Sequence, residues 1–304
     1  MSGTDRQDKG EAGGGTGADW IAADWGTTNL RLWAMRGGGV VARRASGRGM
    51  SGLAADEFAT VLAEATQGWG DLPVVACGMV GARQGWIDAP YAAVPVRGQP
   101  RMIRVPGQRV WIACGLSQAS PPDVMRGEET QLAGLLAARP DFDGCACLPG
   151  THSKWARLSA GEICSFQSFM TGEIYALLAR QSVLRHGIGE ARDDAAFDEA
   201  VADALSQPHR AYARLFQLRA ASLIADLAPD SAASRLSGML IGWELAGAKP
   251  YWLGHEVVII GAPALSGLYA RALRQQGVTC LLADAEATTL AGLHLARLQI
   301  GETA

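Results

Sequence analysis

The chain has 304 residues, 48% of them hydrophobic, and a net charge of −3 from 27 basic and 30 acidic side chains. This length suits one large domain or two moderate ones, and the charge balance excludes a strongly basic nucleic-acid surface. No apolar run reaches the roughly 18 residues needed to cross a bilayer, so we exclude a membrane-spanning protein.

The amino terminus is rich in glycine and polar residues, with GEAGGGTG at its centre. It lacks the apolar stretch of a signal peptide, so we interpret residues 1–18 as a disordered tail or cloning remnant. A glycine-rich cofactor loop is the alternative, but such a loop should follow a strand and open a helix. Without a secretory signal, we expect a cytoplasmic protein with reduced thiols.

The first half is predicted to open with an antiparallel meander of three strands. A turn at 26–29 joins the first strand to LRLWAM, and RGGG at 36–39 separates that strand from VVARR. Apolar residues at helical spacing between 58 and 65 predict a helix. The apolar runs at 73–81 and 110–115 are typical of buried strands.

The second half repeats this order, because CACLPG, THSKWARL and GEICSF predict three strands joined by turns. Gly150-Thr151 at the first of these turns echoes Gly26-Thr27. The elements expected after this meander are a mostly helical stretch over 170–247, a buried strand and helix over 256–273, a strand at 280–282 and a final helix from about Glu286.

Two α/β halves that each open with an antiparallel hairpin turn suggest the actin-like ATPase (ribonuclease H-like) fold of hexokinase and other sugar kinases. We therefore expect an amino-terminal lobe over 19–144 and a carboxy-terminal lobe with a helical insertion over 145–304. A central ATP cleft is expected between them. Because one fold serves many functions, the activity must be argued from the site.

The two turns are the first candidate site. A turn rich in Gly and Thr brings backbone N–H groups and hydroxyls close to phosphate oxygens. Asp24, beside the first turn, can hold the Mg²⁺ of ATP through water, because Mg²⁺ dehydrates reluctantly. A turn-capping acid is the alternative role of Asp24. The predicted ATP-phosphate residues are Gly26, Thr27, Thr28, Asn29, Gly150, Thr151, His152 and Lys154.

Lys154 is notable because the chain has only three lysines. A lysine just after PGTHS can act on a phosphate as a flexible point charge. The alternative is a strand residue whose stem is buried while its ammonium reaches water. We interpret His152 as a hydrogen-bonding residue of the turn rather than a metal ligand.

Glu128 and Glu129 lie at a predicted helix start in VMRGEETQLAG. Compensation of the helix dipole would explain them without chemistry. A sugar kinase, however, needs a carboxylate that accepts the proton of the attacking hydroxyl. We favour Glu128 over Glu129 as this base. Arg126 can bind the transferred phosphate or a substrate carboxylate through a bidentate fork.

Gly261 follows an apolar strand and precedes a helix, so an adenine or ribose can pack on its backbone; an ordinary strand-to-helix turn is the alternative. An acidic substrate would also need a cation in the site. The candidate arginines are Arg31, Arg83, Arg126 and Arg219.

Several motifs in one order resemble the 2-dehydro-3-deoxygalactonokinase family over residues 20–298. They are DWGTTNLRLW, GMVGARQGW, VMRGEETQL, LPGTHSKW, FMTGEIYALL, LFQLRAASL and LSGMLIGWELA. The resemblance implies an actin-like kinase that phosphorylates the 6-hydroxyl of 2-dehydro-3-deoxy-D-galactonate with ATP, in D-galactonate breakdown. Related sugar kinases place an Asp, often after Gly or Asn, where this chain has Gly127-Glu128-Glu129, which leaves either glutamate open as the base.

Other functions are compatible with these motifs. A kinase for 2-dehydro-3-deoxygluconate would use the same residues, and a phosphohydrolase would replace the sugar hydroxyl with water. A regulator that binds sugar without catalysis should lack Asp24 or the acid pair, and both are present. We expect a sugar-acid substrate, no nucleic-acid or membrane partner, and a possible homodimer.

Overall fold

The computed structural model describes residues 16–302. Residues 1–15 of the predicted tail therefore lie outside the described residues. The chain forms two compact units: of the described residues, unit 1 holds 16–89, 102–114 and 296–302, and unit 2 holds 90–101 and 115–295. This division differs from the boundary expected at 144/145, because residues 115–144 pack within unit 2.

Fifteen strands are present among the described residues. They are β1 (Trp20–Trp25), β2 (Leu30–Arg36), β3 (Gly39–Ser46), β4 (Val74–Cys77), β5 (Tyr91–Ala93), β6 (Val96–Arg97), β7 (Met102–Arg104), β8 (Val110–Ala113), β9 (Gly115–Ala119), β10 (Pro122–Met125), β11 (Gly144–Leu148), β12 (Ser153–Ser159), β13 (Glu162–Phe169), β14 (Glu256–Gly261) and β15 (Cys280–Asp284).

Nine α-helices lie in the same part of the chain. They are α1 (Glu57–Ala65), α2 (Glu128–Ala138), α3 (Thr171–Gln181), α4 (Asp194–Ser206), α5 (Ala211–Ile224), α6 (Pro229–Gly247), α7 (Lys249–Trp252), α8 (Pro263–Arg274) and α9 (Ala285–Glu302). None of the helices that the structure describes is long and apolar enough to cross a membrane.

Unit 1 contains a six-stranded sheet in the order β3-β2-β1-β4-β8-β7. The first three strands are an antiparallel meander. Strand β4 then pairs in parallel with β1, and β8 pairs in parallel with β4. The predicted opening meander is therefore confirmed. Strands β1 and β4 are almost wholly buried, as expected for the centre of a sheet covered on both faces.

Unit 2 contains a six-stranded sheet in the order β15-β14-β11-β12-β13-β6, and five of its strands repeat the order seen in unit 1. The sixth strand differs, because β6 pairs with the meander strand β13, whereas β7 of unit 1 pairs with β8. Strands β11, β12 and β13 form an antiparallel meander. Strand β14 pairs in parallel with β11, and β15 pairs in parallel with β14. The predicted repetition is confirmed, and so is the mostly helical stretch between β13 and β14. A further three-stranded sheet, β10-β9-β5, belongs to unit 2.

Aromatic packing fixes the end of β1 in unit 1. The Trp25 ring lies 5.2 Å from the Phe58 ring and 6.1 Å from the Trp86 ring, between ring centroids. Its indole Nε1 donates to the Arg48 carbonyl at 3.1 Å. Because Trp25 is buried and hydrogen-bonded, the neighbouring Asp24 is held at a defined place.

Candidate active site

In unit 1, Asp24 lies at the carboxyl end of β1, directly across from Arg31 of β2 in the antiparallel register. The Arg31 guanidinium forms an ion pair with the Asp24 carboxylate, whose side chain is 19% exposed. A metal-binding and a substrate-binding candidate are thus paired with each other. The carboxylate is partly accessible, and Asp24 and Arg31 both line a pocket.

Two glycines that sequence reasoning missed allow close packing around this acid. Gly78 has φ of +93°, and a Cβ there would lie 2.9 Å from the Trp25 carbonyl oxygen and 3.3 Å from Asp24 Oδ1. A Cβ on Gly49 would lie 2.4 Å from the Thr27 carbonyl oxygen. Glycine is needed at both positions, because any side chain would push against the backbone of this site.

The first turn presents free donors. Gly26 N–H donates to the Asn29 carbonyl at 2.9 Å, which closes the turn. The N–H groups of Thr27 and Thr28 have no acceptor among residues 16–302. A pocket of about 590 Å³ lies here, lined by Asp24, Gly26, Thr28, Asn29, Arg31, Ala45, Ser46 and Gly47. Open donors around a pocket suit an anionic ligand.

The second turn, in unit 2, joins β11 to β12 and packs against the start of α3. A Cβ on Gly172 would lie 2.3 Å from the Gly150 carbonyl oxygen, so the contact depends on glycine. The Thr151 carbonyl accepts from Glu173 N–H at 3.0 Å, and Glu173 Oε2 lies 2.5 Å from His152 Nε2. His152 is therefore a hydrogen-bonding residue of the turn, as interpreted from the sequence.

Lys154 joins the second turn to the acid pair. Its Nζ lies 3.3 Å from Glu128 Oε1 and donates to the His152 carbonyl at 3.0 Å. The side chains of Lys154 and Glu128 are 6% and 24% exposed. A largely buried ammonium beside a partly exposed carboxylate can bind the charge of a phosphate next to a proton acceptor.

The two glutamates have different environments at the start of α2. Glu129 is 3% exposed and accepts from Gly127 N–H at 2.6 Å and from the Thr130 hydroxyl at 3.0 Å. Burial raises the pKa of Glu129 to about 7, with a further contribution from the Glu128 carboxylate. Only Glu128 of the pair combines exposure with a cationic partner, so we interpret Glu129 as a buried helix-start residue.

A second pocket, of about 440 Å³, lies next to the second turn in unit 2. Its lining is Gly150, Thr151, Thr171, Gly172, Tyr175, Ser237, Leu240, Ile241, Leu265, Leu268 and Tyr269. Gly261 lies just before α8, which supplies three of these residues. A Cβ on Gly261 would lie 3.0 Å from Ser266 Oγ and 3.4 Å from Pro149 Cδ, so α8 approaches β14 closely here.

Beneath the second turn lies Glu244 of α6, a carboxylate that sequence reasoning did not single out. It is 2% exposed and accepts from Ser153 Oγ at 2.7 Å, Trp155 Nε1 at 2.8 Å and the Tyr269 hydroxyl at 2.7 Å. Burial raises the pKa of Glu244, while these donors oppose the shift. Its signal in the sequence was a single acid inside the apolar run MLIGWELAG.

The four candidate arginines lie on separate elements. Besides Arg31, Arg83 of unit 1 follows β4, and its side chain is 85% exposed. In unit 2, the Arg126 guanidinium lies 4.4 Å from the centre of the Tyr91 ring, and Arg219 lies on α5. Arg126 is the only one of these four that is also hydrogen-bonded to the acid pair, through its backbone N–H and Glu128 Oε2 at 3.1 Å.

The five-strand order repeated in the two units, with a glycine-threonine turn in each, is that of the actin-like ATPase fold. Comparison with known proteins gives the family. The family model for 2-keto-3-deoxy-galactonokinase matches residues 24–296. This chain therefore belongs to the 2-keto-3-deoxy-galactonokinase family, and it is a kinase.

Two curated relatives agree with this assignment. A protein of Rhizobium meliloti (strain 1021), named as a probable 2-dehydro-3-deoxygalactonokinase, is 39% identical over 92% of this chain and 97% of its own length. The 2-dehydro-3-deoxygalactonokinase of Escherichia coli (strain K12) is 34% identical over 88% of this chain and 94% of its own. The resemblance noted in the sequence is thus confirmed.

A solved structure has the same fold. It is the crystal structure of a Sinorhizobium meliloti protein assigned as a 2-dehydro-3-deoxygalactonokinase, with 38% sequence identity and a TM-score of 0.87. The match covers 92% of this chain and 99% of that chain. The predicted actin-like kinase fold is thereby confirmed.

Proposed function

We propose that this kinase transfers the γ-phosphate of ATP to the 6-hydroxyl of 2-dehydro-3-deoxy-D-galactonate. Family membership supports the reaction class and the substrate. The observation that carries the proposal in the structure is the pair of Glu128 and Lys154, which places a proton acceptor 3.3 Å from a cation beside the second glycine-threonine turn. Phosphoryl transfer needs this kind of positioned charge rather than covalent chemistry.

The proposed step is an in-line displacement. Glu128 accepts the proton of the 6-hydroxyl as the hydroxyl oxygen forms its bond to the γ-phosphorus. The bond between the γ-phosphorus and the bridging oxygen breaks, and ADP leaves with that electron pair. Lys154 stabilises the charge on the transferred group, and the N–H groups of the second turn bind phosphate oxygens.

The nucleotide is proposed to bind in unit 2 along the pocket of about 440 Å³. Leu240, Ile241, Leu265 and Leu268 offer an apolar surface for a base, while Tyr175, Ser237 and Tyr269 offer hydroxyls. Gly150 and Thr151 of the second turn also line this pocket. A mostly apolar pocket with a few convergent polar groups is the usual form of a cofactor site.

In unit 1, we propose that the first turn and Asp24 serve the metal–phosphate part of the nucleotide. Asp24 provides one carboxylate, and Thr27 and Thr28 provide open N–H groups. The carboxylate fits Mg²⁺, which takes one or two carboxylates and otherwise keeps water and substrate phosphates, while the N–H groups suit phosphate oxygens. When bound, Mg²⁺ neutralises charge on the phosphates.

The substrate carboxylate is proposed to pair with Arg126. Tyr91 holds this guanidinium at 4.4 Å, and the Arg126 backbone is tied to Glu128. A guanidinium on a residue whose backbone is bonded to the base would orient the sugar acid by its carboxylate. Substrate binding by the other three candidates, Arg31, Arg83 and Arg219, stays a prediction from the sequence. The homodimer and the cytoplasmic location also stay predictions.

Identification of the product tests the proposal. The enzyme is incubated with ATP, Mg²⁺ and 2-dehydro-3-deoxygalactonate, and the product is examined by phosphorus NMR with proton coupling. A phosphate on the 6-oxygen is split by the two protons of one CH₂ group into a triplet. Release of inorganic phosphate without an ester would instead support a phosphohydrolase, and an ester split by a single proton would place the phosphate on another hydroxyl.

A further inference from the structure

Glu244 connects three elements around the proposed nucleotide pocket in unit 2. Its Oε2 accepts from Ser153 Oγ and from the Tyr269 hydroxyl, each at 2.7 Å. Its Oε1 accepts from Trp155 Nε1 at 2.8 Å, and the Thr171 side chain also hydrogen-bonds to it. Ser153 begins β12 and Trp155 lies within it, while Thr171 begins α3 and Tyr269 lies on α8. One carboxylate therefore links these three elements.

The alternation of β12 gives this link a consequence for the site. Ser153 and Trp155 point to the face that carries Glu244, so Lys154 between them points to the opposite face. That opposite face is where Lys154 Nζ meets Glu128. Fixing Ser153 and Trp155 therefore also fixes the rotation of the strand that aims Lys154.

The same carboxylate acts on the wall of the pocket. Thr171 and Tyr269 both line the pocket of about 440 Å³, and so do Gly150 and Thr151, which shortly precede Ser153 in the chain. A buried acid is costly unless donors satisfy it, so a carboxylate with four donors imposes one arrangement on the groups that hold it. An apolar side chain could fill the space but would not orient these donors.

We infer that Glu244 is a positioning residue for ATP: it holds the second turn, Lys154 and the α3 and α8 walls of the pocket in the arrangement that binds nucleotide. This inference rests on the proposed placement of the nucleotide in unit 2. It assigns a role in binding to a residue that does not line the pocket.

The test uses a matched pair of serine substitutions in the full-length chain. Ser153→Ala removes the bond between Glu244 and the second turn and leaves Glu244 its other donors. Ser234→Ala is the control, because Ser234 is also buried, lies on α6 like Glu244, and accepts from Asp193 N–H at 2.8 Å away from the pocket. Ser153→Ala also removes the longer contacts of Ser153 Oγ with the Phe169 carbonyl at 3.4 Å and with the Tyr269 hydroxyl at 3.5 Å, so thermal melting of both variants measures the stability that each one loses.

Isothermal titration with ADP in the presence of Mg²⁺ separates a positioning role from a structural one. We expect the Kd for ADP to rise at least fivefold more in Ser153→Ala than in Ser234→Ala, and Ser153→Thr to restore part of the affinity. Glu244→Gln should raise this Kd further, but Ser153→Ala decides the test if that variant fails to fold. A smaller difference between the two alanine variants would overturn the inference.

ADP binding by the wild type shows whether a negative result concerns the role of Glu244 or the proposed nucleotide site itself. Wild-type protein that binds ADP, together with equal losses in both alanine variants, would leave the nucleotide site and remove only the role of Glu244. Wild-type protein that binds no ADP would remove the nucleotide site, and with it the inference.

Discussion

Lys154 Nζ lies 3.3 Å from Glu128 Oε1, which joins the strand after the second turn to the first residue of α2. The pair links the two motifs that the sequence presents separately, PGTHSK and RGEET. It gives a cation and a proton acceptor a shared location within unit 2.

Removal of the Lys154 charge should impair catalysis far more than stability. We expect Lys154→Met to lower kcat by about 10²-fold, because a positioned cation stabilises the charge that develops during transfer. Lys249→Met is the control, since Lys249 is the other lysine that the structure describes and begins the short helix α7. A coupled assay of ADP release measures both, and equal rates for the two variants would contradict the role of Lys154.

Substitution of the two glutamates should distinguish the base from its neighbour. Loss of a general base typically costs about 10²–10⁴-fold, so Glu128→Gln should be nearly inactive. Glu129→Gln should keep more than roughly a tenth of the wild-type rate on that scale, because Glu129 is buried and bonded within its own helix start. The opposite ranking of the two rates would show that Glu129 is the base.

Glu129 should also give the protein a distinct pH dependence of stability. Its pKa is raised from 4.5 to about 7, so between these values the folded chain holds a proton that the unfolded chain releases. The free energy of unfolding contributed by this group therefore falls as pH rises through that window, by about 3 kcal/mol in all. Below pH 4.5 both states are protonated and the contribution is constant.

Glu129→Gln removes this titration. The free energy of unfolding is measured in urea at pH 5 and pH 8 for both proteins. Relative to the wild type, the variant should be more stable at pH 8 than it is at pH 5. Comparison with the wild type cancels the other titrating groups, including Glu244, whose pKa is also raised by burial. A difference that is independent of pH would contradict the raised pKa of Glu129.

The close approach of Gly78 to Asp24 gives another prediction. Gly78→Ala adds a Cβ 2.9 Å from the Trp25 carbonyl oxygen, so the end of β1 must move and Asp24 with it. Gly68→Ala is a matched control in unit 1, because Gly68 has a similar φ of +82° but no atom within 4 Å of its Cβ position. Both variants lose about 1–2 kcal/mol to backbone strain.

Only Gly78→Ala should also raise the KM for ATP, and it should have the lower Tm of the two. Steady-state kinetics at varied ATP, together with thermal melting, measure both effects. Equal KM values for ATP in the two variants would mean that displacement of Asp24 does not matter for nucleotide binding.

Local sequence patterns were sufficient for ten of the fifteen described strands and for the repeated meander, but the short strands β5, β6, β7, β9 and β10 were not predicted. Hydrophobic periodicity and glycine turns are local, and they located β1–β3, β11–β13 and the start of α2. The contacts that form the site are not local. Glu244 is 91 positions from Ser153, and nothing in the intervening sequence indicates that they meet. Likewise, Gly78 meets Asp24 only because β4 pairs in parallel with β1.

The pairing of Asp24 with Arg31 shows the same limit. The two residues were selected separately, one for a metal and one for a substrate. Their opposition follows from the hairpin register, which places them directly across from each other. A register can be proposed from a turn, but the rotamers that close an ion pair depend on the packed sheet.

The central claim is that this kinase acts on a short 2-keto-3-deoxy sugar acid, preferably the galactonate, and its most direct test is a comparison of kcat/KM across acceptors. The acceptors are 2-dehydro-3-deoxygalactonate, its gluconate epimer, galactonate, glucose and glycerol. A site that pairs an arginine with the substrate carboxylate leaves that cation unpaired when a neutral sugar binds, so discrimination should be large. We predict the highest kcat/KM for 2-dehydro-3-deoxygalactonate and the lowest values for glucose and glycerol; preference for either neutral compound would contradict the account.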